Sequence, residues 1–339
     1  MKIRQIVFTE KNKAELLTKE ADLKENQVCV QTMISTISPG TERANITGDL
    51  NVDASRPAMD EAKFPRTAGY SSAGVVTEVG KAVTGFEVGD RVVVYWGKHK
   101  DYNMVPEENV VKIEDERVSF EEAAISFIAT FPLAAIRKTR LEVGESMMVM
   151  GLGLLGQLAV QLARAAGAVP IIAVDPVKER REEALKNGAD YALDPFDADF
   201  VQTVKELTDG GVKTAIEVTG SGAGLEESLD CMAKFGRIAL LGCTRDRNFT
   251  IDYYRKVHFP GITIVGAHTN ARPMQESYPG YFTHRDDIKT VLKLCASQRI
   301  DLKRMTGEFY SPEECQEVFD RLINDRNFPI VVQFDWRQL

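Results

Sequence analysis

The hexapeptide Gly151-Leu152-Gly153-Leu154-Leu155-Gly156 has the spacing of a turn that grips a phosphate. Gly151 allows a tight turn, Gly153 lets the backbone approach a pyrophosphate, and Gly156 lets a helix pack closely on a strand. Leu154 and Leu155 open a helix whose free N–H groups and positive dipole end attract phosphate. Asp175 lies further on, where its carboxylate can accept hydrogen bonds from an adenosine ribose. Its charge would repel a 2′-phosphate, so the pattern favours NAD over NADP. Arg180 is expected among the same cofactor contacts.

Glycine spacing alone says little unless strand, turn, helix, second strand and acidic residue follow in order. Here they do. Met147–Met150 is an apolar run suited to a buried parallel strand. Leu158, Ala159, Leu162, Ala163 and Ala166 recur at helical spacing, and Gly167 stands where a helix C-cap belongs. Residues 171–174 form a second apolar run ending on Asp175. From 144 to 269 the alternation continues, with helices expected at 179–186, 200–207 and 225–233. Strands are expected at 191–193, 214–219, 237–241 and 262–267. This predicts an α/β fold with a doubly wound parallel sheet.

Residues 1–126 read differently. Short strands such as 27–33, 74–79 and 90–95 are punctuated by Pro39-Gly40, Gly69, Gly80, Gly85 and Gly89, which suggests a compact antiparallel β-barrel-like domain. Ser119 and Glu122 form a capping-box signature ahead of a helix reaching 140. The polar segment 270–285 breaks the alternation, and the tail, with helices at 287–296 and 312–323 and a strand at 329–334, is expected to return to the first domain. The domains are thus 1–126, a nucleotide-binding domain at 127–269, and a return segment at 270–339.

The 339 residues suffice for two substantial cores. A net charge of −8 argues against an electrostatic grip on nucleic acid or anionic lipid. No apolar stretch reaches the about 18 residues that read as a membrane span, and the N-terminus lacks the form of a signal peptide. A cytoplasmic protein is therefore expected. Five scattered cysteines, none in a C-x-x-C, suggest neither a disulfide framework nor a zinc knot.

The layout resembles the medium-chain dehydrogenase/reductase superfamily of zinc-type alcohol and polyol dehydrogenases. The matching pieces are Ser38-Pro-Gly-Thr-Glu42, Gly69-Tyr-Ser-Ser-Ala-Gly-Val-Val76, Glu78-Val-Gly80, Val88-Gly-Asp-Arg-Val92 and Glu121-Glu-Ala-Ala124. The resemblance implies a GroES-like β-barrel catalytic domain, a Rossmann domain, and hydride transfer with a nicotinamide cofactor. It also implies a homodimer or homotetramer assembled through the edge of the Rossmann sheet. The three catalytic zinc ligands of the family fall on Pro39, Tyr70 and Ser126. Proline has no ligating side chain, and neutral Tyr and Ser are poor zinc ligands. The four-cysteine zinc lobe is missing as well, so a zinc-free member is expected. An unconventional site using Glu42, His99 or His268 is the remaining route to a metal.

Without zinc, side chains must stabilise the substrate oxygen and move its proton. By the resemblance, Thr41 touches substrate oxygen and cofactor ribose, and Tyr70 places a phenol in the vacated metal site. Glu42 either acts as a base or holds an arginine such as Arg66 or Arg91. The turn with Ala267, His268 and Thr269 holds the nicotinamide carboxamide, and His268 could shuttle a proton. Thr130 lies near the nicotinamide, and Thr219 and Gly242 face the cofactor from strand ends. The implied activity is reversible, NAD-dependent oxidation of a secondary alcohol on a sugar, polyol or glycoside, as in the guloside-type branch. A zinc-free quinone or enal reductase and a non-catalytic NAD-binding protein are the alternatives.

Overall fold

A run of strand and helix must bury two sheet faces at once, and the chain does so with one six-stranded parallel sheet. The computed structural model describes residues 1–52, 61–243 and 248–339. They divide into two units. The first holds Met1–Ile128, Ile288–Ser297 and Leu302–Leu339, and the second holds Ala129–Asp287 and Gln298–Asp301.

The chain begins with β1 (Lys2–Glu10), β2 (Lys13–Glu20), β3 (Gln27–Thr36), α1 (Pro39–Ile46), β4 (Arg66–Thr67), β5 (Ser71–Val79), β6 (Arg91–Tyr95), β7 (Tyr102–Pro106) and β8 (Val110–Lys112). Helix α2 (Phe120–Lys138) follows. Its start carries the expected capping box: Glu122 N–H donates to Ser119 Oγ at 3.2 Å, and Ser119 N–H to Glu122 Oε2 at 2.9 Å. The second unit then alternates through β9 (Met147–Met150), α3 (Leu154–Ala166), β10 (Ile171–Val174), α4 (Lys178–Lys186), β11 (Tyr191–Leu193) and α5 (Phe200–Leu207). It continues with β12 (Val212–Glu217), α6 (Gly222–Asp230), β13 (Met232–Leu240) and β14 (Thr263–Gly266). Last come α7 (His284–Ala296), α8 (Leu302–Met305), β15 (Glu308–Tyr310), α9 (Cys315–Asn324) and β16 (Val332–Asp335). Among the described residues no helix is long and apolar enough to cross a membrane.

The strands of the second unit pair in parallel in the order β11-β10-β9-β12-β13-β14. Counted within the unit this is 3-2-1-4-5-6, the dinucleotide-binding order. All four residues of β9 and of β10 are buried, as a strand covered on both faces requires. Gly167 ends α3 with φ 90°, and its N–H returns to Arg164 O at 3.1 Å.

In the first unit β3 is the hub, pairing antiparallel with β5, β7 and β16. A glycine is obligatory at Gly74 on β5, since a Cβ there would lie 2.0 Å from Gln31 O. The return of the chain is driven by α9, whose apolar face puts Val318, Phe319 and Leu322 in one core with Ile6, Phe8, Phe334 and Trp336. The Phe8 and Phe319 rings meet edge to face at 4.8 Å.

The return begins at residue 288, not at 270 as the polarity of 270–285 suggests. A buried ion cluster holds 270–287 in the second unit. Asp287, fully buried, takes Arg137 Nε at 2.9 Å on Oδ1 and Arg272 Nη1 at 3.1 Å on Oδ2. Arg272 also donates to Thr130 O at 2.9 Å, and Lys138 Nζ donates to Gly266 O at 3.0 Å. A buried carboxylate stripped of such partners is strongly destabilising.

Candidate active site and nucleotide site

The turn between β9 and α3 has the stereochemistry its glycines imply. Gly151 adopts φ 98°, a region that favours glycine. A Cβ on Gly156 would lie 1.9 Å from Gly151 O, so helix and turn approach as closely as backbone allows. Over Gly153 a Cβ would meet nothing within 4 Å, which leaves room above the turn. Among the described residues no side chain caps the N-terminus of α3, so the N–H groups opened by Leu154 and Leu155 lack a capping acceptor there. Asp175, 4% exposed, directly follows β10 and accepts Leu152 N–H on Oδ2 and Val177 N–H on Oδ1, each at 2.8 Å. Its carboxylate, a four-site acceptor, retains capacity for a ribose diol. Arg180 Nη1 stands 3.7 Å from Asp175 Oδ2 and pairs with it. These residues fit a dinucleotide.

The strand ends expected at the cofactor lie together in the second unit. Gly242 N–H donates to Glu217 O at 2.9 Å, and a Cβ on Gly242 would lie 2.4 Å from Gly220 N. Thr219 caps the buried Glu217 carboxylate with its N–H at 2.7 Å and with its hydroxyl. Burial pushes Glu217 above the usual carboxylate range against these donors. Ala267 N–H donates to Leu240 O at 3.0 Å. His268 is half-buried, and its Nδ1 accepts Asn270 N–H at 3.2 Å. Thr269 Oγ1 is buried with no hydrogen-bond partner among the described residues. An orphaned hydroxyl at this turn is what a site awaiting a polar ligand group presents. Thr130 is fully buried, and its hydroxyl lies 3.3 Å from His284 Nδ1.

In the first unit the candidate catalytic residues cluster around α1. Pro39 occupies the first helical turn, where its missing N–H costs nothing. Thr41 is half-buried. Glu42 is 2% exposed, and its Oε1 accepts Ser38 N–H at 2.9 Å. Its buried side-chain partner is His99, whose Nε2 lies 3.1 Å from Oε2 and 3.3 Å from Oε1. The arginines expected to hold Glu42 do not. Arg66 donates to Lys63, Asn45 and Asp49 carbonyls, and Arg91 to those of Asp115 and Val118. Tyr70 donates its phenol hydrogen to Ser38 Oγ. The Tyr70 ring sits among Trp96, 5.7 Å away, and Phe127, 5.8 Å away. The lysines flanking His99 both have depressed pKa values. Burial lowers Lys98 against the pull of Glu42. Burial, then Lys19 and Lys98, lower Lys100 to about 8.

The three positions that hold zinc in the resemblance do not fit a metal here. Pro39 offers no donor, the Tyr70 phenol is committed to Ser38, and Ser126 Oγ donates to Ala123 O at 2.6 Å. Among the described residues no three His, Cys, Asp or Glu side chains converge. Sequence reasoning named His99 only as a conceivable ligand and missed Ser35, Lys98 and Trp336 beside it. The one local signal was Gly69: a Cβ there would lie 2.6 Å from His99 Cγ, so the glycine makes room for the imidazole.

Comparison with known proteins fits this geometry. The family model described as the alcohol dehydrogenase GroES-like domain matches residues 24–115, and that of the zinc-binding dehydrogenases matches 155–294. The L-threonine 3-dehydrogenase of Pyrococcus horikoshii is 32% identical over 243 residues, covering 62% of this chain and 68% of that protein. The D-guloside 3-dehydrogenase of Escherichia coli is 29% identical over 249 residues, covering 71% and 70%. The solved benzyl alcohol dehydrogenase of Acinetobacter calcoaceticus superposes with a TM-score of 0.83 over 99% of both chains at 22% identity, a likeness of fold. The chain therefore belongs to the medium-chain, zinc-type alcohol dehydrogenase family, and is an oxidoreductase that works with a nicotinamide cofactor.

Proposed function

We propose that this dehydrogenase oxidises a secondary alcohol on a sugar, polyol or glycoside to a ketone, reversibly, with NAD and without a catalytic zinc. The zinc-free part rests on the donor set at Pro39, Tyr70 and Ser126, which is spent on hydrogen bonds within the first unit. The preference for NAD rests on Asp175, whose charge is unsuited to a 2′-phosphate. Arg180, already paired with Asp175, does not reverse that. The substrate class rests on the likeness to D-guloside 3-dehydrogenase, whose name specifies a glycoside.

Bound NAD would supply the acceptor for the hydride leaving the carbinol carbon. The chain's own residues do the remaining work. Gly151, Gly153 and the N-terminus of α3 receive the pyrophosphate, and Asp175 receives the ribose. Thr41 and Tyr70 present hydroxyls to the oxygen that becomes the carbonyl. The phenol gives its hydrogen to Ser38, so its lone pairs can accept the alcohol's hydroxyl. Glu42 in the first unit or His268 in the second accepts the proton in the end.

Elemental analysis of the purified protein, followed by NAD and NADP reduction against a panel of sugars, polyols and glycosides, tests the reading. The expected outcome is NAD reduction with a hydroxyl-rich alcohol, retained after chelation. About one tightly bound zinc per chain, or activity confined to NADPH-driven reduction of enals, would defeat it.

A further inference from the structure

The buried partners of Glu42 form a chain with a single direction. The indole of Trp336 can only donate, and its Nε1 lies 2.8 Å from Ser35 Oγ. Ser35 Oγ lies 2.7 Å from His99 Nδ1, and His99 Nε2 faces the Glu42 carboxylate at 3.1 Å. A carboxylate oxygen accepts, which places a hydrogen on Nε2. In the tautomer with Nδ1 bare, Ser35 donates to it, and every hydrogen runs from Trp336 through Ser35 and His99 to Glu42. Ser35 and His99 are fully buried, Glu42 is 2% exposed and Trp336 4%.

The surroundings keep the imidazole in place. The His99 backbone is pinned on both sides, its N–H donating to Ala68 O and its carbonyl accepting Ile6 N–H, both at 3.0 Å. The Phe334 ring meets its edge at 5.3 Å, and Gly69 leaves the space it fills. On the other side of Glu42, Ser38 links the carboxylate to the phenol: its N–H goes to Glu42 and its Oγ takes the Tyr70 hydrogen. His268, the alternative acceptor, already spends Nδ1 on Asn270.

We propose that His99 is a positioning residue for the oxidation, holding the Glu42 carboxylate aimed so that the proton leaving the alcohol ends on Glu42. The inference rests on the alcohol-oxidation reading. In the step, the alcohol O–H bond breaks and its proton ends on a Glu42 oxygen, where a new O–H bond forms. The carbinol C–H bond breaks with its electron pair, which goes with the hydrogen to the oxidised nicotinamide. His99 changes no bond; it supplies the N–H that fixes the carboxylate.

The test compares variants in the intact chain, with kcat and KM for an alcohol found active with the unaltered protein, and with NAD affinity read separately by calorimetry. His99→Leu should lower kcat about 100-fold, within the range of general-base effects, with NAD affinity unchanged. His99→Gln can still donate to Glu42 and accept from Ser35, and should recover kcat to within about tenfold of the unaltered protein. Ser35→Ala, which folds more readily than a leucine beside a buried carboxylate, should lower kcat about threefold to tenfold. Nitrogen NMR should show His99 protonated at Nε2 and bare at Nδ1. Unaltered kcat in His99→Leu or Ser35→Ala, a Gln variant as poor as the Leu variant, or the opposite tautomer would overturn the proposal. Failure of the unaltered protein to oxidise any secondary alcohol would instead overturn the reading on which it rests.

Discussion

The Tyr70 phenol has one hydrogen, and Ser38 Oγ takes it. With that hydrogen spent, the phenol standing in a ligand position can meet an alcohol only as an acceptor. Thr41, one residue ahead of Glu42, adds a second hydroxyl. Removing one donor aimed at a developing oxyanion costs about 2.7–4 kcal/mol, so Thr41→Ala is expected to lower kcat about 100-fold or more. Tyr70→Phe, which removes the acceptor of the alcohol's hydroxyl, is expected to lower kcat about 100-fold, within the range of acid–base effects. NAD affinity should hardly change, since both residues belong to the first unit and the glycine turn to the second. Steady-state kinetics with parallel cofactor titration decides this, and normal turnover in both variants would refute the roles. Glu42 shows how far residue types alone carry. Its acidity and its place after threonine were legible, but its partner was not, because His99 lies 57 residues away.

At the scale of elements, α2 and α7 are joined in the second unit by Thr130 and His284. Burial, reinforced by the Arg272 charge, pushes the His284 pKa down to about 3. The folded protein thus keeps this imidazole neutral, whereas the unfolded chain protonates it below its ordinary value near about 6.5. Between about pH 3 and pH 6.5 the unfolded state binds the extra proton. Stability from this group therefore falls as pH drops through that window, by at most about 1.4 kcal/mol per pH unit. Above it the group contributes no slope. Urea unfolding at pH 4, 5, 6 and 7 should show a shallower acid decline in His284→Gln than in the unaltered chain. Identical slopes would show that His284 is not held neutral. The helix itself was expected to begin at 287 and begins at His284. The polar run ahead of it gave no apolar period, while the cluster around Asp287 was ready to order it.

At the scale of the whole molecule, the second unit's sheet ends on β14, which pairs only with β13 among the described residues. Three of its four residues are exposed, including Ile264 at 39%. Phe235 and Phe259 on the flanking segments are 76% and 71% exposed. An open, apolar strand edge of this kind invites pairing with another strand, and a two-fold axis lets one edge pair with its own copy. The expected assembly is a homodimer, or a tetramer built from such dimers. Sedimentation should give an even-numbered oligomer, and Ile264→Lys combined with Phe259→Glu should shift it towards monomer. A monomeric unaltered protein at micromolar concentration would defeat the expectation.

The nucleotide half was legible because its signals are local. Three glycines within one turn, an apolar run on either side and an acid at the end of the second strand are set by backbone stereochemistry over a few residues. The capping box of α2 is local in the same way. The order 3-2-1-4-5-6 is not contained in the alternation of strand and helix; it depends on which buried runs come to lie side by side. The return of the chain at 288 depends on Arg137 finding Asp287 across 150 positions. The chain of donors ending at Glu42 depends on Trp336 reaching Ser35 across 301. Sequence alone thus determined a dinucleotide turn and a dehydrogenase layout. Only the tertiary structure decided what replaces the arginine beside Glu42, because a buried charge is satisfied by whatever donor packing brings within 3 Å or so, not by its neighbours in the chain.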